Sequence, residues 1–428
     1  MEVAILVLSF VILIAIGTPI AWSIGLSSLF TMLLSIPAMP AFTTVAQRMA
    51  TGLDSFALLA IPFFVLAGQI MNSGGIARRL IDFAKSLVGS LPGGLAHVNI
   101  IAAMMFGAIS GSAVAAASAI GGFMGKEMTK VGYTKQFGAA VNITSSTMGL
   151  VIPPSNILIV YSLASGGASI AALFLAGYIP GILTGLLLMI AAAIWAKRKG
   201  FPIGERSSLS TVFKTFLSAL PSLMLLIVVI GGIVVGVFTA TEASAVAVLY
   251  CLVLALIYGE VSLKELPEIF LSSAKTTAIV MLLIGTSMSL SWIMAYENIP
   301  QNITAALLSV SDNPIVIILL INLILLFVGF FMDMTPAVLI FTPIFLPVVT
   351  AIGMDPIQFG IIMVVNLCIG ACTPPVGSVL FVGVGVAGTT IQKVMKPLLP
   401  LFGVMLLALV LITVFPQLSL WLPSVFGF

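Results

Sequence analysis

The clearest scarcity in this sequence is charge. Asp, Glu, Lys and Arg make up 7% of the 428 residues, whereas hydrophobic residues make up 61% and the mean hydropathy is +1.30. A soluble core of this size would not leave so few charges, so the composition excludes a soluble protein. Apolar runs of helical length recur from end to end, and no long polar stretch separates them. The sequence therefore predicts an all-α polytopic membrane protein in a lipid bilayer.

Histidine and cysteine are also scarce, with one His and three Cys in the chain. The cysteines (Cys251, Cys368 and Cys372) lie inside apolar runs, which is typical of small packing residues; the four-residue spacing of the last two suggests a zinc pair only weakly. The net charge of +3 is dispersed through short loops, which argues against nucleic acid as a partner. Glu2 is the only early charge, and no Lys or Arg precedes the first apolar run. We therefore expect a retained membrane span there, not a signal peptide.

Ten apolar runs have the length of a membrane span. They are 3–17, 19–36, 55–71, 137–164, 170–195, 216–237, 242–258, 270–294, 358–386 and 398–420. Two further regions, 92–125 and 314–350, are too long for one span, and each is interrupted near its middle, at 107–112 and at 332–336. Each limb has about 16 residues, or about 24 Å of helix, which is shorter than a hydrocarbon core of about 30 Å. We therefore predict two re-entrant hairpins whose tips stop inside the protein.

Positive charge lies almost entirely on one side of this predicted topology. The basic residues of that side are Arg78, Arg79, Lys85, Lys126, Lys130, Lys135, Lys197, Arg198, Lys199, Arg206, Lys214, Lys264, Lys275, Lys393 and Lys396. The opposite side keeps only Arg48. By the positive-inside rule the first side is cytoplasmic, which places the N-terminus outside. Residues 76–85 combine helical apolar spacing with a basic face, and they indicate an interfacial helix that either braces a scaffold or serves as a surface linker.

Two segments share a pattern that breaks a helix. Residues 149–155 read GLVIPPS and residues 370–376 read GACTPPV, each inside an otherwise apolar run. Proline lacks a backbone N–H and clashes with the preceding turn, so a Gly followed by Pro-Pro cannot continue a helix. A helix that breaks at membrane depth frees backbone carbonyls, which can bind a cation.

A shift of about 221 residues aligns the two breaks and, within two residues, the two hairpin tips. Each half then contains five spans and one hairpin, and the odd number of crossings turns the second half upside down. Such an inverted repeat with discontinuous helices is typical of secondary transporters. The predicted parts are scaffold spans and an interfacial arm helix at 1–91, the first hairpin, broken helix and closing span at 92–195, scaffold spans at 196–313, and the second hairpin, broken helix and closing span at 314–428.

Several motifs together resemble the large membrane subunit of a tripartite ATP-independent periplasmic (TRAP) transporter, over essentially the whole chain. They are LAIPFFVLAG at 59–68, ISGSA at 109–113, GLVIPPS at 149–155, TEA at 241–243, TPI at 342–344, NLCIG at 366–370 and TPPVG at 373–377. One departure is Cys372, where the family would have a bulkier apolar residue.

The resemblance implies sodium-driven uptake by an elevator mechanism, in which a transport domain of hairpins and broken helices slides against a static scaffold. It implies a soluble periplasmic binding protein that delivers substrate and a small four-helix membrane subunit on a separate polypeptide. It also implies a bacterial inner-membrane location, Na⁺ as the coupling ion and no organic cofactor. The substrate would be a small organic acid anion, with sialic acid favoured over a C4-dicarboxylate.

Sodium prefers about five or six oxygen ligands, which carbonyls and hydroxyls supply without further buried charge. We predict one sodium site between each hairpin tip and its broken helix. The first would use Ser110, Ser112, Gly149, Val151, Ile152 and Pro154. The second would use Gly329, Asp333, Thr335, Gly370, Thr373 and Pro375. The alternative is that these small residues simply pack between helices.

A few polar residues in apolar surroundings are further candidates. Asp333, an acid at membrane depth, could neutralise a sodium ion, bind a proton or cap a half-helix. Glu242 is interpreted as a cap or as a partner of a neighbouring helix. Arg48 could hold a substrate carboxylate, pair with Asp54 or contact the binding protein. The substrate is expected between the hairpin tips, with Ser145, Ser146 and Thr147 as polar contacts.

Two other functions compete with this interpretation. An intramembrane serine enzyme would need His97 beside Ser110, but thirteen residues of helix, or about 20 Å, separate the two. A two-component sodium–carboxylate symporter would have a similar architecture and would need no binding protein.

Overall fold

A computed structural model describes residues 2–73, 76–204, 206–311, 313–374 and 376–428, and these contain helices but no strand. The first half comprises α1 Glu2–Ala15, α2 Ile20–Ser35, α3 Ala38–Leu53, α4 Ala60–Ser73, α5 Ile76–Val88, α6 Gly94–Ser110, α7 Ala113–Lys130, α8 Lys135–Met148, α9 Asn156–Ala164 and α10 Ile170–Lys199. The second comprises α11 Leu209–Val234, α12 Ala240–Tyr258, α13 Leu266–Tyr296, α14 Ile299–Val310, α15 Pro314–Phe331, α16 Met334–Ala351, α17 Pro356–Ala371, α18 Ser378–Ala387, α19 Ile391–Val414 and α20 Gln417–Val425. Short 3₁₀ turns cover Phe56–Leu59 and Gly149–Val151.

Eight helical segments within the described residues are long and apolar enough to cross a membrane. They are Phe56–Ser73, Ile170–Lys199, Leu209–Val234, Ala240–Tyr258, Leu266–Tyr296, Pro314–Phe331, Met334–Ala351 and Ile391–Val414. A ninth is possible if α8 with its 3₁₀ turn and α9 form one span, which bends by 50° at the break. The chain is therefore a polytopic all-α membrane protein, as the composition predicted.

The structure differs from the prediction most clearly in the hairpin limbs and in helices α3 and α14, which no predicted run covers. Each hairpin limb has 17 or 18 residues, longer than the predicted 16, because Ser112 and Asp333 begin the return limbs directly after very short turns. Limb length alone therefore does not distinguish a hairpin from two spans. The sequence also gave no sign of α3, a largely exposed helix that packs against α2 and α13. Its polar residues, including Gln47 and Arg48, keep its hydropathy below that of a span.

The order and bounds of the helices recur at an offset of 221 residues. Adding 221 to the bounds of α7 (113 and 130) gives 334 and 351, the bounds of α16. Likewise, α8 and α10 begin at 135 and 170, and α17 and α19 begin at 356 and 391. The packing recurs in the same way. Helix α6 contacts α8 in the first half, and α15 contacts α17 in the second. Across the halves, α7 contacts α18 and α16 contacts α9. Each return limb thus packs against the helix that follows the break of the other half.

The predicted interfacial helix corresponds to α5, and it packs along α11. The rings of Phe83 and Phe216 are 5.5 Å apart, and the hydroxyls of Ser86 and Thr215 are 2.8 Å apart. Helix α5 also packs against α6, so it is not an isolated surface linker, and its role as a brace of the scaffold stays a prediction. Glu242 has the predicted capping role, since its carboxylate and the Thr239 side chain form a capping box at the start of α12.

The two helices that precede the breaks cross each other at buried cysteines. The Cys372 thiol lies 3.2 Å from the Thr147 hydroxyl, and the Cys368 thiol lies 3.1 Å from the Thr147 carbonyl oxygen. All three residues are fully buried. The cysteines therefore join α17 to α8, and the short side chain of Cys372 fits this crossing.

Candidate functional site

The tip of the first hairpin is a tight turn at Ser110, Gly111 and Ser112. Gly111 has a φ of +62°, and a Cβ there would lie 2.2 Å from the side-chain amide nitrogen of Asn156, so the position requires glycine. The Ser112 hydroxyl accepts the Ala115 N–H at 3.2 Å and thereby caps α7. The Ser110 hydroxyl lies 3.4 Å from the Ser112 N–H. Both serines retain hydroxyl lone pairs near the turn.

The first break packs its backbone directly against the first hairpin. A Cβ on Gly149 would lie 2.8 Å from Gly107 Cα and 2.8 Å from the Met104 carbonyl oxygen. The Gly149 carbonyl accepts the Ile152 N–H at 3.2 Å. A Cβ on Gly177 of α10 would lie 2.2 Å from the Val151 carbonyl oxygen, so that carbonyl faces α10. The glycines bring the break within backbone contact of the limb that ends at Ser110.

The second break repeats this contact. A Cβ on Gly370 would lie 2.5 Å from Gly329 Cα, again backbone against backbone. The Gly370 carbonyl accepts the Thr373 N–H at 2.9 Å, and the Thr373 hydroxyl donates to the Ile369 carbonyl at 2.7 Å. Thr373 is thereby folded back onto the end of α17. Pro375, the remaining predicted ligand of this site, lies outside the described residues.

A cavity of about 250 Å³ lies between the two hairpin tips. Its lining includes residues 110–115 of the first tip and 333–335 of the second. Residues of α4 and α13, together with Asn156 of α9 and Val379 of α18, close its other sides. The structure therefore brings Ser110, Ser112, Asp333 and Thr335 to one space, where the substrate was expected.

Four helices point their N-terminal ends into this cavity. The first residues of α7, α9 and α16, and the second residue of α18, all line it. Unpaired N–H groups give each helix start a partial positive charge of about half a unit, so the ends together favour an anion. No Lys, Arg or His belongs to the described lining, and Asp333 is its single acid.

Four polar residues of the lining were missed by sequence reasoning: Gln69 and Asn72 of α4, Asn156 of α9 and Thr276 of α13. Gln69 and Asn72 are three residues apart at the end of an apolar span, a spacing that puts both on one helix face and was available as a signal. Asn156 follows a break directly, and its buried side-chain oxygen has no hydrogen-bond partner among the described residues. Thr276 carries no signal, because a lone Thr is common in membrane helices.

The four predicted substrate contacts do not line this cavity. Ser145, Ser146 and Thr147 are fully buried in α8, and the Ser145 and Thr147 hydroxyls donate to carbonyls one turn earlier at 2.7 and 3.0 Å. Three consecutive residues of a helix cannot share one face, and α6, α7, α17 and α19 surround α8. Arg48 lies on α3, with its guanidinium 5.6 Å from the ring centre of Trp292.

A histidine–serine pair is excluded by the geometry of α6. His97 lies in the first turn of that helix, and Ser110 is its last residue. The His97 Nε2 atom lies 3.0 Å from the Pro92 carbonyl oxygen, at the opposite end from the tip.

Comparisons with known proteins agree on one family. The sequence profile described as tripartite ATP-independent periplasmic transporter, DctM component, matches residues 7–418. The protein YgiK of Salmonella typhimurium is 57% identical over 98% of this chain and 96% of its own length. The sialic acid TRAP transporter large permease protein SiaM of Vibrio cholerae is 40% identical over 96% of both chains. The C4-dicarboxylate TRAP transporter large permease protein DctM of Pseudomonas aeruginosa is 40% identical over 95% of this chain and 94% of its own.

A solved structure has the same fold at low sequence identity. The YdaH transporter of Alcanivorax borkumensis, whose crystal structure was described as having an unusual topology, superposes with a TM-score of 0.65. It covers 89% of both chains at 14% identity, so the likeness concerns the fold alone.

Proposed function

Because this chain belongs to the family of DctM components of tripartite ATP-independent periplasmic transporters, we propose that it uses a sodium gradient to take up a small organic acid anion. The chain is a multi-pass permease of the inner membrane and not an enzyme. The family works with a small membrane subunit and a periplasmic binding protein, and we propose both as partners here. The proposal rests mainly on one observation, the cavity between two hairpin tips into which four helices direct their N-terminal ends.

The cavity suits an anion that also carries hydrogen-bonding groups. Helix N-termini and bound sodium would neutralise a carboxylate without a basic side chain. The lining also provides seven neutral hydrogen-bonding side chains: Gln69, Asn72, Ser110, Ser112, Asn156, Thr276 and Thr335. Two of the relatives are named as transporters of sialic acid and of C4-dicarboxylates. Because hydroxyl-rich substrates can use most of these side chains, we favour sialic acid and place a C4-dicarboxylate second.

We propose one sodium ion beside each pair of contacting glycines. Each glycine contact lies one turn from a hairpin tip that carries hydroxyl or carboxylate oxygens, Ser110 and Ser112 at the first and Asp333 and Thr335 at the second. A carbonyl oxygen that accepts one hydrogen bond keeps a second lone pair, so the Gly149 and Gly370 carbonyls remain able to bind a cation.

We also propose that the two halves form an inverted repeat and that transport uses an elevator movement. We assign residues 1–91 and 196–313 to a static scaffold, and residues 92–195 and 314–428 to a transport domain. The scaffold helices contact different limbs of the two hairpins. In the first half α4 packs against the first limb, α6, whereas in the second half α13 packs against the return limb, α16. If the transport domain slides, the two halves would exchange these contact patterns between the two end states. From the loop charges and the positive-inside rule we also propose a periplasmic N-terminus.

Uptake into proteoliposomes tests the proposed function. The full chain and its small subunit would be reconstituted with candidate binding proteins, and labelled sialic acid or C4-dicarboxylate uptake would be followed with and without an inward sodium gradient. We expect uptake only with both the gradient and a matching binding protein. Equal uptake with and without the sodium gradient would overturn the sodium-driven mechanism. Uptake without any soluble protein would favour the two-component sodium–carboxylate symporter.

Paired cysteines test the elevator movement, and the repeat supplies a matched pair. Thr276 and Thr335 line the same cavity, and subtracting 221 from each number gives Ser55 and Val114. We expect a short bis-thiol crosslinker to join Thr276→Cys to Thr335→Cys in the present conformation, and to join Ser55→Cys to Val114→Cys after the transport domain has moved. The three native cysteines are fully buried and should not react.

Each crosslink should stop uptake and its reduction should restore it, measured on the same proteoliposomes. Single-cysteine variants treated in the same way are the controls. If the second pair never forms a crosslink under any sodium or substrate condition, or if crosslinked transporters continue uptake, the hairpins do not slide as proposed.

Gln69 offers a test of substrate contact. Gln69→Ala removes one amide from the cavity, and a lost hydrogen bond of about 1 kcal/mol would raise the KM for substrate by roughly fivefold. The kcat should change less, because the residue lies outside the hairpins. Gln47→Ala, on the exposed face of α3, is the matched control and should leave the KM unchanged. An unaltered KM in Gln69→Ala would remove this residue from the substrate site.

A further inference from the structure

The crossing of α8 and α17 lies at the centre of the repeat. The Cys368 thiol donates to the Thr147 carbonyl at 3.1 Å, and the two positions are 221 residues apart, the offset of the repeat. The contact therefore joins equivalent positions of the two halves, each two residues before the glycine of its own break, Gly149 or Gly370. Positions related by a two-fold axis meet each other only at that axis. The crossing is thus equally far along the chain from both breaks.

The second thiol extends this contact to the end of α17. Cys372 is the C-cap residue of that helix, and its thiol lies 3.2 Å from the Thr147 hydroxyl. Because this hydroxyl donates its proton to the Thr144 carbonyl at 3.0 Å, the thiol is the donor of the pair. The Ile143 carbonyl, 3.5 Å from the same thiol, is a more distant second acceptor. Two side chains of the second half therefore hold one residue of α8.

The crossing is packed without space for movement of one helix alone. Thr147, Cys368 and Cys372 have no exposed surface, and the turn Gly149–Val151 packs against α17 as well. Close-packed interiors transmit a displacement to their neighbours instead of absorbing it. A change in the last turn of α8 must therefore move the end of α17.

Both ends of this contact adjoin ligands of the proposed sodium sites. Gly149 follows Thr147 by two residues, and Cys372 lies between Gly370 and Thr373. A sodium ion at the first break would fix the last turn of α8 and, through the two thiols, the end of α17. The second ion would then bind to carbonyls that are already ordered, which costs less conformational entropy.

We infer that Thr147, Cys368 and Cys372 couple the two proposed sodium sites, so that the ions bind cooperatively. The three are positioning residues, since none of them is a predicted ligand. The inference rests on the proposed sodium coupling, but it adds a property that two sodium sites need not have.

Equilibrium binding of radioactive sodium to the purified full chain tests the coupling. Independent sites give a Hill coefficient of at most about 1, and we expect a coefficient close to about 2 in the wild type. Thr147→Val removes the acceptor of the Cys372 thiol, and Cys368→Ala removes the donor to the Thr147 carbonyl. Each change should lower the coefficient, and the double variant should reach about 1 with the same number of ions bound at saturation.

Two further variants separate coupling from general damage. Thr184→Val is the matched control, because Thr184 is also fully buried and its hydroxyl donates within α10, to the Pro180 carbonyl at 2.8 Å. Its Hill coefficient should equal that of the wild type. Cys368→Ser keeps a donor at the crossing and should preserve cooperativity. Size-exclusion profiles and melting temperatures would confirm that the variants are folded.

The possible outcomes distinguish this inference from the proposed function. An unchanged Hill coefficient in the double variant would overturn the inference, and so would an equal loss of cooperativity in Thr184→Val. Saturable but non-cooperative sodium binding by the wild type would overturn the coupling alone and leave sodium-driven uptake standing. Absence of saturable sodium binding would overturn the proposed sodium coupling itself, and the inference with it.

Discussion

Replacing Gly370 with alanine is expected to abolish transport and to destabilise the transport domain. The new methyl group would lie 2.5 Å from the Cα atom and 2.6 Å from the carbonyl carbon of Gly329, closer than real Cβ atoms approach a backbone. Neither neighbour can rotate away, because both belong to helix backbone, so the hairpin must separate from the broken helix. Overpacking of this kind costs about 3 kcal/mol at the upper end of its usual range.

Melting of the purified protein and sodium-driven uptake would measure the two effects. Gly403→Ala is the matched control, because it lies inside α19 and its Cβ would meet no atom within 4 Å. There the higher helix propensity of alanine should leave stability equal or slightly higher. Gly149→Ala should repeat the defect in the first half, since its methyl group would lie 2.8 Å from Gly107 Cα. Wild-type melting and uptake in Gly370→Ala would mean that the glycine contact is not required.

The second large effect is expected at Asp333. Asp333→Asn keeps the size of the side chain but removes the single negative charge of the described cavity lining. If this carboxylate neutralises a sodium ion, uptake should fall by about 100-fold or more, because a buried cation loses its counter-charge. The folded protein should remain, since asparagine begins a helix about as well as aspartate.

The control for this substitution is Asp355→Asn. Asp355 caps α17 through a 2.7 Å hydrogen bond from the Ile357 N–H, and asparagine preserves that cap. Uptake as a function of sodium concentration distinguishes the roles of Asp333. A sodium ligand predicts a higher sodium requirement in Asp333→Asn, whereas a carboxylate without a part in ion binding predicts an unchanged one; the Asp333 side chain makes no capping hydrogen bond to α16. Sodium-dependent uptake at the wild-type rate would exclude Asp333 from ion coupling.

The outline of the fold was predictable because membrane helices must satisfy their own backbone hydrogen bonds. Length and hydropathy therefore located most helices, and the Gly and Pro-Pro residues at 149–154 located the first break. Helix α3 was missed because its polar residues keep it below the hydropathy of a span. The predicted hairpin limbs are also too short, since the turns at 111–112 and 332–333 occupy only two residues each.

The walls of the cavity were less predictable than its tips. Ser110, Ser112, Asp333 and Thr335 stand out because polar residues are rare in such a sequence. Gln69 and Thr276 lie on α4 and α13, far from the tips along the chain, and only packing shows that these helices face the hairpins. Ser145, Ser146 and Thr147 illustrate the converse, since their position next to the break in sequence did not bring them to the cavity.

The sequence by itself determined the class, the membrane location, the two breaks and the family of this protein. Those features depend on composition and on local rules of helix formation, which act over a few residues. Only the tertiary structure decided which polar groups share a space. Gly149 meets Gly107 and Gly370 meets Gly329 because helices distant in sequence pack backbone to backbone, and the side chain of Asn156 reaches Gly111 across a similar distance in sequence. Contacts of that kind depend on helix rotation and depth, which a run of apolar residues does not specify.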